Sequence, residues 1–153
     1  MNRKMIAVIG AGKADERTLK TAEEVGRLIA EGGAVLVCGG LGGVMEAAAR
    51  GAKAGGGVTV GILPHNQSDD ANPYIDIAIP TGFGEGRNVI IARSARVLIA
   101  VGGEYGTLSE IALGLKMGKP VIGINTWEVK GVVRAENAED AVRKAFELMS
   151  PSL

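Results

Sequence analysis

Residues 97–119 read VLIAVGGEYGTLSEIALGLKMGK, and their pattern decides the fold. Val97 to Val101 is an uninterrupted apolar run, too short for a helix and rich in branched residues, which suits a parallel strand buried on both faces. Gly102-Gly103-Glu104-Tyr105-Gly106-Thr107 follows as a turn where backbone can approach a ligand without Cβ obstruction. A helix beginning near Thr107 would aim its free N–H groups and positive dipole end at the same place, a setting that favours an anion. A second reading stands beside this one: Thr107-Leu108-Ser109-Glu110 is T-x-x-E, a capping box that would satisfy the helix end without any ligand. The lysine and hydroxyl pair of a P-loop is absent.

Composition narrows the classes. At 153 residues the chain is long enough to bury roughly 70% of its unfolded surface in one domain, expected to span 1–153. A hydrophobic content of 46% with 24 glycines points to buried strands joined by tight turns rather than to disorder. Net charge is zero and only 3% of residues are aromatic, so nucleic acid is a poor expected partner. A single cysteine rules out an intrachain disulfide, and no apolar run approaches the roughly 20 residues of a membrane helix, so the expectation is a cytoplasmic protein with no membrane partner.

Upstream of the central stretch, Lys4 to Gly10 reads as the first strand with Gly10-Ala11-Gly12-Lys13 as its exit. The dinucleotide fingerprint needs a third glycine where Asp15 stands and an acidic residue where Cys38 stands, which argues against a nicotinamide or flavin site. Asp15 can cap a helix to about Glu31. Ala34 to Cys38 is the next strand, followed by Gly39-Gly40-Leu41-Gly42-Gly43-Val44-Met45-Glu46 and a small-residue helix, AAARGAKAGG. Two strand–glycine–helix turns suggest strand ends sharing one crevice. Cys38 reads as a core thiol rather than a nucleophile, with only one histidine in the chain to serve it.

Val58 to Leu63 is the third strand. His65 to Tyr74 is polar and long enough to form a mobile rim over the crevice; His65, Asp69 and Asp70 read as solvated, and no metal site is expected. Ile75 to Pro80 is a shorter strand, and a helix from Arg87 to Ser94 would carry Arg87 and Asn88 towards the crevice. Beyond the central helix, Gly118 is a stop, Pro120 to Ile124 a strand, Val129 to Val133 an edge strand, and Asn137 the cap of a helix from Ala138 to Met149. The tail from Ser150 should fray. The expected architecture is a doubly wound, mostly parallel Rossmann-like α/β sheet of about six or seven strands with helices on both faces.

Taken together, the two glycine turns and the helix between them resemble the Lonely Guy family, long mislabelled as lysine decarboxylases, and the wider SLOG superfamily that includes molybdenum cofactor carrier proteins and the Rossmann-like domain of the DNA-processing protein. The resemblance covers roughly Val35 to Ile124. The family pattern P-G-G-x-G-T-x-x-E appears here as Gly102 to Glu110, and the family's upstream arginine falls on Arg87. Departures are Gly102 for the proline, Glu104 for a glycine, Asn88 for the lysine after the arginine, and Cys38 at the first glycine of GGGxxGLM. They place the chain nearer the cofactor carriers than the cytokinin-activating enzymes.

The resemblance implies a phosphorylated nucleotide-like ligand, a nucleoside monophosphate or a molybdopterin-type cofactor, held by Gly39, Gly40, Gly42, Gly43, Met45, Arg87, Asn88, Gly102, Gly103, Gly106 and Thr107 in a carrier or sensor that needs no further cofactor. The alternative it implies is a nucleoside 5'-monophosphate phosphoribohydrolase in which Arg87 and Glu110 act at the ribose and glycosidic bond. A DNA-processing-related module is a third. Lysine decarboxylation is set aside, because no lysine stands in a Schiff-base context. The family and the small-residue helices also imply a homodimer through the helices near Met45 and Arg87.

Overall fold

The computed structural model describes residues 4–149. Seven strands, β1 (Met5–Ile9), β2 (Val35–Cys38), β3 (Thr59–Leu63), β4 (Ile77–Pro80), β5 (Val97–Val101), β6 (Val121–Ile124) and β7 (Val133–Arg134), alternate with five helices. The helices are α1 (Glu16–Glu31), α2 (Val44–Ala54), α3 (Arg87–Ser94), α4 (Tyr105–Lys116) and α5 (Ala138–Met149). The strands form one sheet in the order β4-β3-β2-β1-β5-β6-β7, with every neighbouring pair parallel. This is the doubly wound Rossmann-like α/β architecture that the alternation of apolar runs and helical segments predicts.

Side chains of the central strands alternate between two cores. Ile6, Val8, Val97, Ile99 and Val101 pack with α1, α2 and α5, whereas Ala7, Ile9, Leu98 and Ala100 pack with α3 and α4. All nine are essentially buried, which is why these strands read as continuous apolar runs. From β1 the chain builds outward to β4, then returns to the other flank of β1 as β5, paired through Ile6↔Val97 to Ile9↔Ala100. The loops leaving β1 and β5 therefore diverge to opposite faces, and a crevice opens above their carboxyl ends.

The closest helix contact is between α1 and α2. A Cβ at Gly26 would stand 1.9 Å from the Ala48 carbonyl oxygen, and one at Gly51 would stand 1.8 Å from that of Glu23. Ala47, Ala48, Ala49 and Ala52 of α2 are buried in the same core. The small-residue stripe that suggests a dimer from sequence is thus used within the chain, against α1.

Local capping follows the sequence where the cap is local. The Asp15 side chain accepts from the Thr18 N–H at 2.8 Å, and that of Asn137 from the Asp140 N–H at 2.8 Å. The expected edge strand from Val129 to Val133 is instead a turn closed by Val132 N–H to the Val129 carbonyl, with Gly131 at φ 104, and only Val133–Arg134 pairs with β6. The polar segment after β3 is not a rim over the crevice. It forms a 3₁₀ turn at Ser68–Asp70, and Asn72, 8% exposed, ties it to the Gly40–Leu41 turn by two hydrogen bonds of 2.9 Å. The tail from Ser150 lies outside the described residues, among which no helix is long and apolar enough to cross a membrane.

Candidate functional site

The crevice at the divergence of β1 and β5 is a cavity of about 360 Å³, within the size range of small-ligand sites. One wall is the end of β1 and its exit, Val8 to Lys13. Gly39 and Met45 come from the β2–α2 connection, Arg87 and Asn88 from the start of α3, and Glu104, Gly106, Thr107 and Glu110 from the start of α4.

Helix α4 begins at Tyr105, with Glu104 at its N-cap and no side-chain capping bond. Its first internal bond runs from Leu108 N–H to the Glu104 carbonyl at 3.0 Å, so the N–H groups of Tyr105, Gly106 and Thr107 precede the ladder and have no acceptor within the helix. The T-x-x-E capping box is not formed. Gly103, at φ 113, turns the chain so tightly that the helix starts before Thr107, which becomes its third residue and packs against Gly103. Glu110 therefore caps nothing. Trp127 steadies this helix end: its Nε1–H donates to the Glu104 carbonyl at 3.1 Å, and its ring lies 5.6 Å from that of Tyr105.

Arg87, the first residue of α3, is fixed by the protein. Its Nε donates to the Ile62 carbonyl at 2.9 Å, Nη1 donates to Asn88 Oδ1, and Nη2 lies 3.5 Å from the Gly39 carbonyl oxygen. Asn88, 7% exposed, passes the constraint to α4 by donating to Ser109 Oγ at 3.2 Å, and Ser109 in turn donates to the Gly106 carbonyl at 2.6 Å. The Asn88 amide is thus a brace between Arg87 and α4. Burial lowers the Arg87 pKa and the field of Glu110 opposes that shift, yet the two side chains form no ion pair. The crevice holds a positioned guanidinium that feels the Glu110 charge without contacting its carboxylate.

Glu110 is 6% exposed. Burial pushes its carboxyl up to about 8 and Arg87 pulls it back, so it is mostly protonated at neutral pH. Cys38 is fully buried beneath the site, and burial pushes its thiol up to about 11; it stays a thiol, as a core cysteine should.

Of the residues assigned from sequence, Gly39, Met45, Arg87, Asn88, Gly106, Thr107 and Glu110 come together on the crevice wall, while Gly40, Gly42, Gly43, Gly102 and Gly103 do not line it. Gly43 packs against Ala11 and Gly12, and the Val44 N–H at the start of α2 donates to the Ala11 carbonyl at 3.0 Å. A backbone carbonyl therefore occupies the second helix end that the sequence offered to a ligand. Sequence reasoning missed the wall from Gly10 to Lys13. Its signal was the same glycine turn after a strand, passed over because the dinucleotide fingerprint is incomplete. His65 Nδ1 lies 3.1 Å from Asp70 Oδ2 on the exposed surface, and no cluster of metal-ligating side chains occurs among the described residues.

Fold and crevice together define a Rossmann-like α/β protein with a pocket at its topological switch point, lined by Arg87 and the start of α4. The chain belongs to the SLOG cluster4 family, whose model matches residues 3–151. It is 52% identical over 143 residues, 93% of this chain and 94% of the relative, to an uncharacterized protein of Archaeoglobus fulgidus. Its fold is similar to that of the molybdenum cofactor binding protein from the phototrophic bacterium Rippkaea orientalis, with TM-score 0.93, 39% identity, and 98% and 99% of the two chains covered. It is also similar to the molybdenum cofactor carrier protein from Chlamydomonas reinhardtii, with TM-score 0.89, 36% identity, and 98% and 100% covered.

Proposed function

We propose that the crevice holds a phosphorylated, ring-bearing small molecule, a molybdopterin-type cofactor or a nucleoside monophosphate, and that the protein acts as its carrier or sensor. The observation that carries this reading is Arg87: a guanidinium locked by Ile62 and Asn88, without an ion pair, facing the cavity that Gly106 and Thr107 also line. A phosphate there would meet N–H groups and dipole at the start of α4 and the Arg87 cation together. The molybdenum cofactor fits this donor set through its phosphate end, with Gly39 leaving room beside the arginine; it would be cargo rather than a reactant. Likeness to proteins named as molybdenum cofactor carriers across nearly the whole chain favours that ligand.

The alternative, N-glycosidic hydrolysis of a nucleoside monophosphate, draws on Glu110 lining the same cavity. An oxocarbenium-like transition state needs a carboxylate beside it. A carboxyl pushed up to about 8 is mostly neutral in the free protein at pH 7, and the likeness to proteins named as molybdenum cofactor carriers favours binding.

Isothermal titration with inorganic phosphate and nucleoside monophosphates, paired with chromatography for released base, tests both readings. Saturable binding without base release supports the carrier. Base release that Glu110→Gln lowers by about 100-fold or more, the scale of losing one charge-stabilising group, supports the hydrolase. Absence of any binding by phosphate, nucleotides or a pterin phosphate would overturn the reading.

A further inference from the structure

Five polar or charged side chains are buried among the described residues. Three have partners: Thr59 donates to the Tyr74 carbonyl, Asn72 bridges Leu41 and Tyr74, and Asn88 bridges Arg87 and Ser109. The side chains of Thr107 and Glu110 have none, and both line the crevice. No buried side-chain nitrogen or oxygen among the described residues lacks a partner, so the polar atoms of these two side chains open onto the crevice, where a ligand can meet them. The field of Arg87 draws the Glu110 carboxyl part of the way back, but the guanidinium donates to backbone and Asn88 and gives Glu110 no hydrogen bond.

Position constrains what could meet that carboxyl. Glu110 lies one helical turn below Gly106, about 6 Å along the axis, and helical side chains tilt towards the N-terminus. A ligand whose anionic group sits at the start of α4 and whose body fills the crevice can thus reach the Glu110 carboxyl. A carboxylate has two coplanar acceptor oxygens and no donor. Its planar complement is a pair of parallel N–H groups, as in arginine–carboxylate forks, and a ring carries such a pair only where an endocyclic N–H adjoins an exocyclic amine, as in guanine and pterin rings.

We propose that Glu110 is a specificity-determining residue that accepts two parallel hydrogen bonds from the cyclic guanidine edge of the ligand's ring, so that the crevice selects guanine- or pterin-type rings. This deepens the carrier reading and rests on it. Adenine presents one acceptor and one donor at the corresponding edge and leaves a carboxylate oxygen unmatched. Hypoxanthine keeps the ring N–H but lacks the amine. The buried carboxyl, pushed up to about 8 in the free protein, would be drawn to its ionised form by two donors.

The test is calorimetric titration of the wild-type chain and Glu110→Gln with guanosine, inosine and adenosine 5'-monophosphates and with inorganic phosphate. The wild type should prefer the guanosine nucleotide over the other two by about tenfold or more, the loss expected when a buried polar group is left unpaired. Glu110→Gln, which trades one acceptor for a donor, should reduce that preference, read as the ratio of nucleotide affinities within the variant, to within about twofold. Equal affinity of the wild type for the three nucleotides overturns this proposal and leaves the anion crevice standing. A guanosine preference that survives in Glu110→Gln does the same. Failure to bind every one of them, inorganic phosphate included, overturns the carrier reading and this proposal with it. Equal affinities in the wild-type series would overturn the proposal even if the variant is unstable.

Discussion

The guanidinium of Arg87 crosses Gly39 so closely that a Cβ there would stand 2.6 Å from Nη2 and 2.6 Å from Met45 Sδ. Gly39 is thus a space for the arginine. The β2 turn supplies that space and a carbonyl acceptor, while β3 and Asn88 hold the other side of the fork.

Gly39→Ala should therefore shift Arg87 and Met45 without unfolding the protein. A methyl forced into a packed site costs about 1–3 kcal/mol. Phosphate or nucleotide affinity should fall by about tenfold, as when one charge-assisted hydrogen bond is lost. Calorimetry alongside a thermal melt checks both parts. Unchanged affinity would remove Arg87 from the binding role.

Glu110 should make stability fall as pH rises. Its folded pKa, about 8, exceeds the unfolded value of about 4.3. Between the two, the native state keeps a proton that the unfolded chain releases, so stability is full below the lower value and is lost as pH rises through the upper one. Cys38 and Arg87, the other groups that feel this charge, do not titrate in that window. Asp140, pulled down to about 2 by the Glu136 N–H and by Lys144 and Arg143, contributes stability that is present above about 3.9 and lost only at lower pH. Melting curves from pH 5 to 8 should show the wild type losing stability relative to Glu110→Gln. Parallel profiles would contradict the burial argument.

The α1–α2 contact predicts a packing penalty. Gly26→Ala and Gly51→Ala each drive a methyl against a backbone carbonyl, which cannot rotate away, and should destabilise by about 1–3 kcal/mol or more. Urea unfolding should show lower midpoints with an unchanged slope. Gly106→Ala, with nothing within 4 Å of the added carbon, should leave the midpoint unchanged or slightly raised.

What the sequence made legible was local or periodic. Val97 to Val101 announced a buried strand by its apolar run, and Asp15 and Asn137 announced helix starts because the acceptor and its N–H lie three residues apart. The crevice was half legible: Arg87, Gly106, Thr107 and Glu110 were assigned to it, while the Gly10-to-Lys13 wall was not, because strand order brings it there and strand order is not a local property. Asn88 looked like a ligand contact, and only its geometry shows a brace between helices. The T-x-x-E pattern misled because a motif does not say which residue starts the helix; the positive φ of Gly102 and Gly103 does.

The central claim is that a phosphorylated ring compound occupies the crevice at the start of α4. Native mass spectrometry of gently purified protein, wild type beside Gly106→Val, tests it most directly. The account predicts a retained mass matching a pterin phosphate or nucleotide on the wild type and its loss from the folded variant. A bare wild type that takes up neither compound when supplied, or a retained mass that persists in Gly106→Val, would contradict it.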